Sequence, residues 1–185
     1  MAGPRKVSND PQRRERILDA ALDVIAEQGV HKTSHRAIAA QAGVPLGSLT
    51  YYFTGITDIL EQSFARLAAT IEGTNSEVVA AATTQDEACH AVAEFVVNPT
   101  VSGRKRFGLM MEMYSYALHS PAVAESLRQW QRQVHTTLQT HFTAQAGRAI
   151  ASLVEGWVMH RHFDAEESAL TYDSALKAVT ALARL

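Results

Sequence analysis

Three helix-breaking residues stand within five positions of AAQAGVPLGSLTYYF, residues 39–53: Gly43, Pro45 and Gly47. Glycine and proline are the residues least compatible with a helix interior. Yet helical apolar spacing stands on both sides of them, so the break is only a few residues long. The pattern predicts a short helix over 35–42, started by Ser34 and stopped by Gly43, and a second over 46–52. Two short helices joined by a tight glycine-containing turn form a helix-turn-helix. Ile38 and Ala42 are expected to face a core, and Ala39 to allow a close helix crossing. Val44 should fill the angle between the helices, Leu49 should pin the second from inside, and Phe53 should close the base.

A platform for this pair lies upstream. Asp10-Pro11 reads as a cap followed by a first helical residue, and Ile17, Ala21, Val24 and Ile25 form one apolar stripe ending at Gly29. Downstream, Ile56, Leu60, Phe64, Leu67 and Ile71 mark a longer helix. Thr84 and Glu87 have capping-box spacing and open another, ending near Asn98-Pro99. Further helices are expected over about 104–118, from Ser120-Pro121 to about 142, over 144–163 and over 172–184. No strand alternation appears. The fold class is therefore all-α, about nine helices, with a head over 1–56 and a larger body over 57–185.

With 185 residues, 46% hydrophobic and 19% charged, the chain can bury a core. The single Cys89 allows no internal disulfide and fits a reducing cytosol, so a cytoplasmic location is expected. The N-terminal segment lacks the apolar stretch of a signal peptide, and no run is long enough to span a membrane. Residues 1–56 carry seven cations (Arg5, Lys6, Arg13, Arg14, Arg16, Lys32, Arg36) against five acids, while the whole chain has net charge −2. A mildly basic head on an acidic body suits a polyanion partner. Arg13, Arg14 and Arg16 fit either such a role or a solvated helix face. No phosphate-binding glycine loop, H-E-x-x-H or G-x-S-x-G motif occurs, so no residues support an enzyme. His31 and His35, or His160 and His162, do not make a metal cluster, and no metal or cofactor is expected.

The stretch IAAQAGVPLGSLTYYF, preceded by RRERILDAALDVIAEQGVHKTS, resembles the N-terminal domain of the TetR/AcrR transcriptional regulators over about residues 13–60. Thr33-Ser34, Ile38-Ala39, Ala42-Gly43-Val44, Gly47, Leu49 and Phe53 stand as in the family pattern. Pro45 replaces the usual serine and Ser48 the usual threonine. Thr50 stands where a phosphate-binding tyrosine is usual, Tyr52 where histidine is frequent, and Ile56 where a lysine is common. Phosphate anchoring must then lean on Thr50, Tyr51, Tyr52, Lys32, Ser34 and an N-terminal arm with Arg5 and Lys6.

The resemblance implies a homodimeric repressor that binds a palindromic double-stranded DNA operator and responds to a small-molecule effector. Base-edge contacts would come from Pro45, Leu46, Ser48 and Tyr51, with Arg36 from the preceding helix. The amides at Ser34 and His35 would take a phosphate. An effector pocket is expected among Phe64, Phe95, Phe107, Met110, Met111, Tyr114, Trp130 and His135, residues that suit an ordinary core equally well. Ala149, Leu153, Gly156, Trp157 and His160, with Leu176 and Val179, form stripes that suit a four-helix dimer seam or the protomer's own core. The competing reading is a small all-α binding protein whose N-terminal helices contact other proteins.

Overall fold

One left-handed residue makes the turn between the two short helices of the head. In the computed structural model, which describes residues 12–98, 103–163 and 171–185 (side chains 72–76 and 78 excepted), Gly43 has φ 63° and ψ 35°. It ends α2 (His35–Ala42) and leads into α3 (Leu46–Tyr52). Val44 N–H reaches Ala39 O at 3.0 Å and Gly43 N–H reaches Ala40 O at 3.2 Å. This six-to-one and five-to-two pairing satisfies carbonyls that the helix end would leave open. At the other end of α2, Ser34 Oγ accepts from Ala37 N–H at 3.3 Å.

Pro45 has φ −58° and ψ 142° and caps α3 rather than entering it. Its carbonyl accepts from Ser48 N–H at 2.8 Å, so the first bond of α3 forms without the N–H that proline lacks. The helix α2 packs on α1 (Arg13–Gln28) and α3 on α2, and all three share one core. Ile17, Leu18, Ala21, Ile38, Ala39, Leu49, Phe53 and Ile59 make one buried cluster, with Ala42, Val44, Tyr52 and Ile56 against its edge. The expected seating of Ile38, Ala39, Val44, Leu49 and Phe53 is thus what the structure shows.

The helix α4 (Ile56–Ala80) starts where Thr54 N–H donates to Asp58 at 2.8 Å. That bond, with Gln62, holds the Asp58 carboxyl below its usual range. Two compact units divide at Ser63/Phe64, inside α4. The first turns of α4 therefore group with the head, past the residue 56 at which the sequence placed the boundary. Arg14 bonds Gln62, pairs with Glu15 at 2.9 Å and lies 5.7 Å from the Phe53 ring centroid. Of the three arginines left open above, this one is tied into the head.

The second unit continues with α5 (Gln85–Val97), α6 (Arg104–Ala117), α7 (Pro121–Leu138), α8 (Ala144–Phe163) and α9 (Tyr172–Leu182). These make nine α-helices among the described residues, with no strand. Thr84 accepts from Glu87 N–H and caps α5, but the Glu87 carboxylate accepts from Thr83 N–H and Oγ1 rather than Thr84, so the expected capping box closes one residue early. The helix α7 stops at Leu138, short of the expected 142, because Thr143 caps α8 and the chain must turn first; Ala146 N–H meets Thr143 Oγ1 at 3.1 Å. Phe142 in that turn is buried. A Cβ on Gly147 would come within 3.3 Å of Leu138 Cβ, so the glycine permits the close approach of α7 and α8. The Asp10-Pro11 start signal and the 164–170 segment lie outside the described residues.

An alanine Cβ at Gly43 would meet nothing within 4 Å. The cost of Gly43→Ala is then backbone strain alone. Urea unfolding of the full chain should show a loss of about 1–2 kcal/mol, and unchanged stability would contradict the left-handed turn.

Candidate nucleic-acid interface and effector cavity

The helix α3 has two unlike faces. Leu49 is fully buried on one and Tyr51, 77% exposed, stands on the other, while Leu46 at the helix start is 50% exposed. Its sequence LGSLTYY holds no charged residue. Pro45, Gly47 and Thr50 are exposed beside them, and Thr50 Oγ1 donates to Gly47 O at 3.1 Å. Tyr51 and Tyr52 meet edge to face at 4.8 Å, with Tyr52 half-buried against the head core. Ser48 is only 8% exposed, so its hydroxyl turns away from the face that Leu46 and Tyr51 offer. Lys32, Ser34 and Arg36 are exposed and His35 half-exposed at the start of α2. No ion pair engages Lys32 or Arg36 among the described residues. The structure thus brings Lys32, Ser34, His35, Arg36, Pro45, Leu46, Thr50 and Tyr51 to the surface of one unit. Arg5 and Lys6 lie outside the described residues.

The second unit holds a cavity of about 80 Å³. Val92 and Phe95 of α5, Trp130, Val134, Thr137 and Leu138 of α7, and Ile150, Ala151, Val154 and Glu155 of α8 line it, with Val79. A single water needs only about 10–15 Å³ by such a measure, so the cavity exceeds a water site. Of the eight residues expected at a pocket, Phe95 and Trp130 line this one. Phe64 is fully buried, its ring 5.5 Å from that of Tyr116. Phe107 is buried and stacks on His162 at 4.0 Å. Met110 and Met111 are half-buried on α6 away from the lining. His135 likewise lies outside it, and its Nδ1 is buried with no hydrogen-bond partner.

The aliphatic wall of α7 and α8 does not stand out in the sequence, because valine and isoleucine at helical spacing read as ordinary core. Its one carboxylate, Glu155, carries no motif either. Glu155 is an exposed residue, and desolvation by the neighbouring apolar wall raises its carboxyl pKa. Burial first, and then the Glu155 charge, push the Tyr114 phenol to about 12 against a lowering contribution from Gln131. Burial also raises the Cys89 thiol, which leaves it a poor nucleophile.

The two expected seam stripes separate. Val179 is fully buried in its own unit and belongs to a cluster with Ala88, Cys89 and Val92 of α5. It is therefore not accessible to a second chain, and Leu176 and Trp157 pack against the same cluster. Along α8 the division is cleaner. Ala146, Gly147, Ile150 and Ala151 are buried, Ala149, Leu153 and Gly156 half-buried, and His160 exposed. Phe163, exposed at 72%, continues that outer stripe and escapes the sequence pattern because it closes the helix.

A helix-turn-helix head followed by a separate all-helical unit defines the architecture of one large class of bacterial regulators. The model of the bacterial regulatory proteins, tetR family, matches residues 17–62, which span the whole turn and its platform. The regulator SCO7518 of Streptomyces coelicolor A3(2) is 39% identical, with TM-score 0.84, over 95% of this chain and 100% of its own. The multidrug binding protein EbrR, crystallised with ethidium, is 26% identical with TM-score 0.74, over 94% of this chain and 99% of its own. The HTH-type transcriptional regulator BetI of Yersinia pestis is 24% identical over 180 residues, 89% of this chain and 91% of the relative. The chain belongs to the tetR family of bacterial regulatory proteins.

Among the described residues no helix is long and apolar enough to cross a membrane. The Tyr114 environment is directly testable. With its pKa at about 12, the difference between alkaline absorbance titrations of wild type and Tyr114→Phe should appear only above the range of ordinary tyrosines, near 10. A difference centred near 10 would mean that the phenol is solvated.

Proposed function

We propose that the protein is a dimeric, sequence-specific DNA-binding repressor whose operator affinity is set by a small-molecule effector in the second unit. The observation that carries this reading is the outer face of α3. Large side chains are exposed at Leu46, at its start, and at Tyr51, opposite Leu49, which is committed to the head core. An exposed apolar pair on so short a helix has no folding role. It suits base edges in a major groove, where a leucine or an aromatic ring can meet a thymine methyl. Gly47 and Pro45 keep the start of α3 free of bulk, and Lys32 and Arg36 supply unpaired cations beside it. Arg5 and Lys6 add charge for phosphate or an adjacent minor groove.

Regulator relatives spanning nearly the whole chain support the same reading. Dimerisation would use the outer α8 stripe of Ala149, Leu153, Gly156 and His160, extended by Phe163. A two-fold pair of heads then faces half-sites one helical turn apart, about 34–36 Å. The complexes of EbrR with dyes support an effector role for the second unit. An effector alters operator affinity only by binding one conformation better than the other. The helix α4, which runs from the head into the second unit, is the covalent route for such a change.

Gel shift on genomic fragments tests the DNA reading. Leu46→Ala and Tyr51→Ala should each weaken specific binding by about 1–3 kcal/mol and keep the melting profile. Wild-type affinity in both variants would sink the assignment of α3 and favour the protein-contact alternative. Gly156→Glu places a charge on the outer α8 stripe, where a Cβ has open space within one chain. Sedimentation should show this variant as a folded monomer, and a retained dimer would remove α8 from the seam.

A further inference from the structure

The solvent side of α3 lacks the groups that ordinarily hold a base edge. Leu46 and Thr50 stand four residues apart, as do Gly47 and Tyr51, and all four are exposed. Leu46 is wholly aliphatic, and Pro45, just ahead of it, is exposed and adds apolar surface. Thr50 Oγ1 donates its only proton to Gly47 O at 3.1 Å. Ser48 is buried, and Tyr52 lies half-buried against the head core. The Tyr51 phenol both donates and accepts, so it meets either kind of base edge without telling them apart. No arginine, lysine, asparagine, glutamine, aspartate or glutamate lies on α3, and these are the side chains that hold guanine, adenine or cytosine edges. A Cβ on Gly47 would have open space, so the bareness beside Leu46 serves no packing within the chain.

From this juxtaposition we propose that α3 reads the C5-methyl group of pyrimidines, through Leu46, in place of the hydrogen-bonding edge of base pairs. The inference rests on the DNA reading above and names the group in the duplex that is recognised. In the major groove the C5-methyl is the apolar feature of a base edge, and a leucine that covers it removes two apolar surfaces from water. Thymine carries that methyl, and so does 5-methylcytosine. Uracil and cytosine lack it. Operator affinity therefore follows the methyl rather than the base pair: 5-methylcytosine stands in for thymine, and uracil does not. Binding then responds to C5-methylation of cytosine within a half-site. Lys32 and Arg36 lie outside α3, exposed and without an ion pair among the described residues. They suit phosphate, and Arg36 also suits guanine, but neither contact depends on a methyl.

The test begins with selection by the full chain from a random duplex pool copied with dTTP, and the most enriched duplex is the parent probe. Uracil replaces thymine at each symmetric pair of half-site positions in turn. The most sensitive pair then receives 5-methylcytosine or cytosine opposite guanine. Gel shift should show a uracil loss of about tenfold or more, since each of two lost methyl contacts weakens binding about fourfold. The 5-methylcytosine duplex should bind within about threefold of the parent, and the cytosine duplex about tenfold below it. In Leu46→Ala, with melting unchanged, the thymine-to-uracil ratio should fall below about threefold. A parent without half-site thymine, a wild-type uracil loss under about threefold at every pair, or 5-methylcytosine no better than cytosine overturns the methyl readout and leaves specific DNA binding in place. An unchanged ratio in Leu46→Ala overturns the assignment to α3. If no duplex is enriched, the DNA reading and this inference fall together.

Discussion

The head is held by the packing of Leu49 under Ile38 and Ala39, and that packing depends on one left-handed residue. Gly43 must turn the chain within two residues for α3 to cross α2 while both share one core with α1. A β-carbon there is not excluded by crowding but by backbone conformation. Once the crossing is fixed, the faces of α3 are fixed too, since residues one or two apart on a helix point different ways. Burying Leu49 is what presents Tyr51 to solvent, while Leu46 is exposed at the helix start. The same apolar contact therefore stabilises the fold and aims the face proposed to read DNA.

The second unit separates its duties in a similar manner. On α8, Ala146 goes to the core, Ile150, Val154 and Glu155 to the cavity, and Leu153 and Gly156 to the outside. One helix thus serves core, cavity and proposed seam on different faces. A ligand that shifts α8 by a fraction of a turn would touch all three, which is how packed interiors convert small displacements into discrete rearrangements.

Much of this is legible in the amino-acid sequence alone. Helix ends announce themselves through local chemistry: Ser34, Gly43, Thr84, Ser120 and Pro121 each stand at a boundary that their own hydrogen bonds or dihedrals create. The helix-turn-helix is readable because its constraints are local, within about twenty residues. The cavity is not. Its wall is built from valine, isoleucine and alanine on helices distant in sequence, and such residues look the same whether they line a void or fill one. Methionines and aromatics draw attention instead, yet Phe64 and Phe107 are consumed by packing. Val179 misleads for a related reason: an apolar stripe says that a face is covered, not whether the cover comes from the same chain. Only the contact of α9 with α5 decides it.

The central claim is that two copies of the α3 face read a two-fold DNA sequence. Selection from random or genomic double-stranded DNA by the purified full-length protein, followed by sequencing, tests this most directly. The account predicts an enriched inverted repeat whose half-sites lie about one helical turn apart, or a multiple of it. Enrichment of no sequence above input, or of a motif without two-fold symmetry, would contradict it.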